Sequence, residues 1–247
     1  MPLISAIIPT YNRPKFLEAT LLALYEQTFK DFEVIVVDDG SNEYEANFNK
    51  MICDVYLNMG IDIKYIKLHK NSGTVSIPRN VGIANAIGEF IAPVDDDCFC
   101  EREKFEILSE LMGDGIVLAY GERLDCRIIN GTVSNVGLSS TSYLRGQKTR
   151  LGVDNGQFIY KSDIYNISGP IFPINACDWE TYKLLAQHGD FAYTSEVVCR
   201  YIWHENNSSR TPKEKRVNPI DVLGEFVEYF DGSSFEEKVL GLLKPIN

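Results

Sequence analysis

Residues 3–41, LISAIIPTYNRPKFLEATLLALYEQTFKDFEVIVVDDGS, decide the fold. The first six, 3–8, form a short apolar run that stops at Pro9, as expected for a strand buried on both faces of a parallel sheet. After the polar turn TYNRP (residues 10–14), Phe16, Leu17, Thr20, Leu21 and Leu24 recur at helical spacing, and Pro14 suits the first turn of a helix. Residues 32–37 are a second β-branched run, closed by the turn formers Asp38, Asp39, Gly40 and Ser41. Strand, helix and strand in this order imply a right-handed parallel crossover.

The pattern continues outward from this stretch. A weaker helix is expected over 44–57, a strand over 61–68, a polar link over 69–74, a helix over 78–86 with Gly88 as its stop, and a buried strand over 89–94. That last strand runs into Asp95, Asp96 and Asp97. Acidic clusters therefore sit at two strand ends, and in open α/β sheets ligands bind beyond the carboxyl ends of strands. Farther along, the spacing predicts a helix over 101–112, a strand over 115–121, and strands and loops over 123–160. A helix over 178–188, a strand over 191–203 and two short amphipathic helices within 218–245 complete the chain. The class is α/β, with a mostly parallel central sheet flanked by helices and a C-terminal helical tail.

Composition narrows the function. The 247 residues are 45% hydrophobic and carry a formal net charge of −11. Both nucleic-acid binding and a polybasic membrane anchor need clustered positive charge, so neither fits. No run approaches the ~20 apolar residues that span a bilayer, and no basic segment precedes an apolar one at the N-terminus. A cytoplasmic location, or one peripheral to the inner membrane face, is the resulting expectation. The six cysteines lack paired CxxC spacing and the three histidines are dispersed, so reduced, mostly buried thiols are expected rather than a zinc site.

Three adjacent carboxylates repel one another, and a fold that concentrates them compensates with a cation. Mg²⁺ or Mn²⁺ is the natural candidate, because hard divalent ions take one or two carboxylates and complete their shell with phosphate oxygens and water. An isolated triple Asp is more often a solvated turn, but this one follows a buried strand where binding crevices form. Asp38 and Asp39 alone read as a turn, or as acceptors for a base or ribose opening onto the same crevice. Tyr11 is an ordinary surface aromatic or a platform on which a nucleobase stacks.

Taken together, SAIIPTYNR (5–13), LLALYEQTFKDF (21–32), VVDDGS (36–41), NSGT (71–74), PRNVGIANAIGEFI (78–91) and VDDD (94–97) resemble the opening of glycosyltransferase family 2. The motifs occur in order over the first hundred residues, which is far more specific than any one of them. The resemblance implies a GT-A (Rossmann-like) fold, a nucleotide-diphosphate-sugar donor, most commonly a UDP-sugar, and inversion at the anomeric carbon. It places Pro9, Thr10, Tyr11, Asn12, Arg13, Asp38, Asp39, Arg79, Asp95 and Asp96 about the nucleotide sugar. Within that set Thr10, Tyr11 and Asp39 match base contacts, Arg79 approaches the nucleotide, and Asp95 orients the ribose or donor sugar. Asp97 matches the metal ligand of a DXD-type strand end, and His204, in YIWHENNSS (201–209), matches a histidine that touches the metal or diphosphate in some relatives.

Inversion by one displacement requires a base for the acceptor hydroxyl. Within CDWE (177–180), Asp178 matches that base, with Glu180 in reserve; Cys177 stands where the family commonly has a second acid. Asp178 also suits a helix N-cap, and the two roles are compatible. The resemblance divides the chain into a GT-A domain over 1–215 and a C-terminal helical extension over 216–247. Within the domain, 1–100 forms a nucleotide-binding half and 101–215 an acceptor-binding half. Expected partners are the nucleotide sugar, a saccharide or lipid-linked saccharide acceptor, and a second copy through the C-terminal helices. Arg210 and Lys213 lie in a polar loop suited to closing over the diphosphate. The rival sugar nucleotidyltransferase needs a Gly-rich basic loop after the first strand, where this chain has PTYNR (9–13). A second rival, a non-catalytic scaffold on a degenerate copy of the fold, has only Cys177 in its favour.

Overall fold

The computed structural model describes residues 1–129, 132–138, 153–164, 184–203 and 217–230. In chain order the elements are β1 (Ile4–Thr10), α1 (Pro14–Tyr25), β2 (Phe32–Asp38), α2 (Glu43–Asn58), β3 (Asp62–Lys67), α3 (Ser76–Ala84), β4 (Phe90–Pro93), β5 (Cys98–Cys100) and α4 (Lys104–Glu110). They are followed by β6 (Ile116–Ile129), β7 (Thr132–Leu138), β8 (Phe158–Lys161), β9 (Asp190–Trp203), α5 (Pro219–Val222) and a 3-10 helix, Leu223–Phe230.

One mixed sheet runs in the order β3-β2-β1-β4-β8-β6-β9-β5, with β7 on β6. Strands β1 to β4 pair in parallel, as the crossover reading requires. Strand β8 is antiparallel to both β4 and β6, which turns the sheet toward its second half. Side chains alternate along β1: Ile7 enters a core with Ile35, Val37 and Val81, while Ala6 and Ile8 enter another with Leu17, Leu21 and Ile52. Helices α1 and α2 therefore cover one face and α3 the other, giving three layers.

Several boundaries depart from the sequence reading for identifiable reasons. Strand β1 continues through Pro9 to Thr10. The neighbouring β4 ends with Pro93 opposite Ile7, so Pro9 lies where a missing N–H breaks no ladder. Helix α3 starts at Ser76 rather than residue 78, since Pro78 is tolerated in a first turn whose N–H groups have no helical partner. Strand β6 runs through Gly121 instead of ending there: a Cβ at Gly121 would lie 2.5 Å from Val198 Cγ1, so the glycine marks close approach to β9. Of the helix expected over 178–188, only Leu184 and Leu185 are described as helical.

The described part of the tail packs into the main core, where Leu223, Phe226 and Phe230 are fully buried beside Leu68 and Ile77. Tyr229 Oη accepts a hydrogen bond from the His69 backbone N–H at 2.8 Å. All five cysteines among the described residues are buried and outside any disulfide; Cys177 lies outside the described residues. No helix among the described residues is long and apolar enough to cross a membrane.

Candidate active site

The carboxyl ends of β1, β2 and β4 converge on a cavity of about 300 Å³ lined by Pro9, Thr10, Tyr11, Arg13, Asp39 and Asp95–Asp97. The loop before α3 closes one side with Asn71, Gly73, Thr74 and Val75, α3 adds Pro78 from its first turn, and β9 contributes Tyr201. Eight of the residues expected to hold a nucleotide sugar or metal thus surround one space.

Each is held by local chemistry. The Asp39 backbone N–H donates to Thr10 O at 2.8 Å, tying the ends of β2 and β1 together. Asp39 Oδ1 accepts from Ser72 N at 3.0 Å, and Oδ2 accepts from Ser72 Oγ at 3.0 Å and Asn71 Nδ2 at 2.9 Å. One lone pair on Oδ1 remains for a ligand donor. Gly40 permits this turn: it adopts φ +70°, and a Cβ there would lie 2.1 Å from the Lys70 carbonyl carbon. Gly40→Ala is expected to destabilise the protein by about 2–4 kcal/mol through backbone strain and overpacking, read as a lower denaturant midpoint at unchanged slope.

The triple Asp is a set of ion pairs. Arg79 Nη2 lies 2.5 Å from Asp95 Oδ1. Arg13 Nη1 lies 3.1 Å from Asp96 Oδ1 and 3.5 Å from Asp97 Oδ2. Thr10 Oγ1 donates to Asp96 Oδ2 at 3.0 Å, and Thr20 Oγ1 donates to the Asp96 carbonyl at 3.0 Å. Burial pushes Asp96 up to about 7, outweighing the opposing pull of Arg13. Burial likewise raises Asp39 to about 7 against the hydrogen bonds from Ser72.

These two carboxyls fix the sign of a pH effect. Their folded values exceed the ordinary 3.8, so the folded chain binds these protons more tightly than the unfolded one. The stability they contribute is fully present below about 4 and is lost as pH rises through about 7. The Tm of the ligand-free protein is expected to fall between about pH 4 and 7, less steeply in Asp39→Asn; an unchanged slope in that variant removes Asp39 from the explanation.

Other expected residues stand elsewhere. Asp38 is fully buried and does not line the cavity; it accepts from Ser41 N at 2.7 Å, Asn49 Nδ2 at 2.8 Å and Tyr65 Oη at 2.7 Å, which anchors the turn. Asn12, at φ +53°, clamps two loops: its N–H donates to Ser41 Oγ at 2.8 Å and its Oδ1 accepts from Asn42 N at 3.0 Å. Arg79 stands behind Asp95 and is buried. Asp178, Glu180, His204, Arg210 and Lys213 lie outside the described residues.

Sequence reasoning assigned no role to Asn71, Ser72 or Tyr201. NSGT (71–74) read as a polar link and as one motif of the family resemblance, with no role for a single side chain, and Tyr201 read as a strand residue. The Arg123 guanidinium lies 4.9 Å from the centre of the Tyr201 ring and pairs with Asp125 at 2.8 Å and with Asp154, which fixes Tyr201 at the cavity wall.

Asp96 and Asp97 are the carboxylates at this cavity that could reach a divalent ion. Among the described residues no three His, Cys, Asp or Glu side chains form a cluster able to hold a metal. Asp96 and Asp97, however, converge on one cationic nitrogen of Arg13. Two carboxylate oxygens fit an ion whose remaining ligands are phosphate and water, not one held in a closed protein cage.

Residues 5–168 match the family described as Glycosyl transferase family 2, and the chain belongs to that family. TarP of Staphylococcus aureus, a poly(ribitol-phosphate) β-N-acetylglucosaminyltransferase, is 32% identical over 220 residues, or 87% of this chain and 62% of TarP. The chain spans a smaller share, 17%, of the related TarS of the same species. Among solved structures, residues 1–349 of S. aureus TarS in complex with UDP-GlcNAc superpose with a TM-score of 0.71 at 21% identity, covering 98% of this chain and 70% of that one. A mannosyltransferase from Pyrobaculum calidifontis, in complex with GDP-Man and Mn²⁺, gives 0.63 at 16% identity, covering 97% and 68%. The fold is GT-A.

Proposed function

We propose that the chain is an inverting, metal-dependent glycosyltransferase that moves a sugar from a UDP-sugar to an acceptor hydroxyl in surface polysaccharide or glycoconjugate synthesis. The observation that carries this reading is the convergence of Tyr11, Asp39 and Asp95–Asp97 on one cavity at the strand ends. Tyr11 offers a stacking face for the base, and the remaining lone pair of Asp39 accepts a base N–H. Asp95, held by Arg79, faces the ribose or donor sugar. Arg13 stands beside the diphosphate position as a second source of positive charge. Asp97, with Asp96 and His204, would hold Mn²⁺ or Mg²⁺, which supplies neutralisation of the diphosphate as it leaves.

Asp178 takes the proton of the acceptor hydroxyl as the new glycosidic bond forms and the bond to the diphosphate breaks, in one inverting displacement. Glu180 is the alternative base. The acceptor is a saccharide or lipid-linked saccharide. UDP comes first among nucleotides because the TarS complex contains UDP-GlcNAc, and the same donor is the natural first substrate to assay. Incubation of UDP-GlcNAc with Mn²⁺ and a panel of saccharide and polyol-phosphate acceptors, followed by NMR of the product, tests the proposal. A product inverted at the anomeric carbon supports it; retention of configuration contradicts it.

A further inference from the structure

Helix α2 carries two apolar stripes, and the core uses only one. Ala46, Asn49, Ile52, Cys53 and Tyr56 face inward. At about 100° per residue, Tyr44, Phe48, Met51 and Val55 form a second stripe roughly a third of a turn away. Tyr44 is 68% exposed, Met51 52% and Val55 50%. Met59 at the C-cap continues the stripe, and Leu22 on α1, which packs on α2, is also exposed. The Tyr44 and Phe48 rings pack on each other at 4.8 Å. No stripe position is charged; Lys50 and Asp54 pair with each other along another flank of the helix.

We infer that a second copy of this chain docks on this face, with the two α2 helices antiparallel about a two-fold axis near Met51. The spacing of the stripe is close to symmetric under reversal: steps of four, three, four and four residues lead from Tyr44 to Met59. An antiparallel copy therefore sets its Tyr44 against Met59 and its Phe48 against Val55, as an isologous interface requires. At the Met59 end a cavity of about 910 Å³, lined by Tyr25, Phe32, Met59 and Ile61 among others, opens where the partner's Tyr44 arrives.

The area is of the right size. Five stripe residues from Tyr44 to Met59, each between 37% and 68% exposed, make a patch on the order of the largest that monomers carry, ~300–600 Å², and would form the apolar centre of a standard interface of ~800 Å² per partner. A lipid surface fits poorly. Helices that lie on membranes set Lys and Arg beside the apolar face, whereas Glu43 and Glu45 begin α2 and the chain carries a net charge of −11.

Sedimentation velocity of the full chain over a concentration series tests the inference. The wild type is expected to move from the 27.9 kDa chain mass toward twice that value. Met51→Glu and Met51→Lys, each placing like charges at the axis, are expected to weaken self-association at least tenfold, and an equimolar mixture of the two is expected to restore it. Recovery in the mixture excludes misfolding as the cause of the loss. Nucleotide binding, measured on the same samples, is expected to be unchanged, because the stripe lies outside the cavity at the strand ends; this separates the dimer from the donor site. A wild type that stays monomeric up to about 100 µM, or a dimer indifferent to both substitutions, overturns the inference.

Discussion

Asp97→Ala is expected to lower sugar transfer at least a hundredfold and to abolish the gain in nucleotide affinity that Mn²⁺ gives the wild type. The carboxylate of Asp97 is buried just before β5, with an oxygen 3.5 Å from the same guanidinium nitrogen that holds Asp96. Removing it leaves Asp96 as the nearest carboxylate, already engaged by Thr10 and Arg13. Under the proposed function, an ion bound mainly through substrate phosphates would then lose its most direct protein ligand. Loss of one preorganised group that stabilises developing charge costs roughly 10²–10³ in turnover. Initial rates together with nucleotide titrations in Mn²⁺ and in chelator measure both effects. Because Arg13 still pairs with Asp96, the fold is expected to persist, and a large fall in Tm would point to a structural role for Asp97 instead.

Asp178→Asn is expected to lower turnover by about 10²–10⁴-fold, the usual contribution of a general base, while leaving nucleotide affinity within about twofold of wild type. Asparagine preserves shape and N-capping ability but takes up no proton. If both results hold, the two variants separate the proposed diphosphate-holding role of Asp97 from the proposed acceptor-activating role of Asp178. Near-normal turnover in Asp178→Asn transfers the role to Glu180, whose Gln variant then becomes the decisive one.

The first hundred residues were the readable part of the fold, for a physical reason. Strands buried on both faces read as unbroken apolar runs, and turns between them need Gly, Asp and Pro at fixed places. Both signals are local, and β1, β2 and β4 all emerged from them. Beyond residue 100 the pairing is non-local. The parallel partnership of β6 with β9 spans residues more than seventy apart, and Gly121 looks like a breaker until β9 lies against it. The three-residue β5 exists because β9 pairs with it, which no window of sequence announces.

The site divides in the same way. Asp39 and Asp95–Asp97 meet at one cavity because β2 and β4 flank β1 and end on the same side of the sheet. Asp38 carries the same side chain as its neighbour Asp39, and Asn12 lies between Tyr11 and Arg13, which line the cavity. Only the partners Asn49, Tyr65 and Asn42, brought in by the fold, show that these two side chains brace the loops. Tyr201 was invisible for the converse reason: it reaches the cavity through the β9 register, and Arg123 stacks on it from β6.

Calorimetric titration of UDP into the purified protein, once with Mn²⁺ and once with chelator, tests the central claim most directly. The account predicts saturable binding at one site per chain that strengthens with Mn²⁺ and loses that dependence in Asp97→Ala. Absence of UDP binding with the metal present, or equal affinity in chelator, would contradict it.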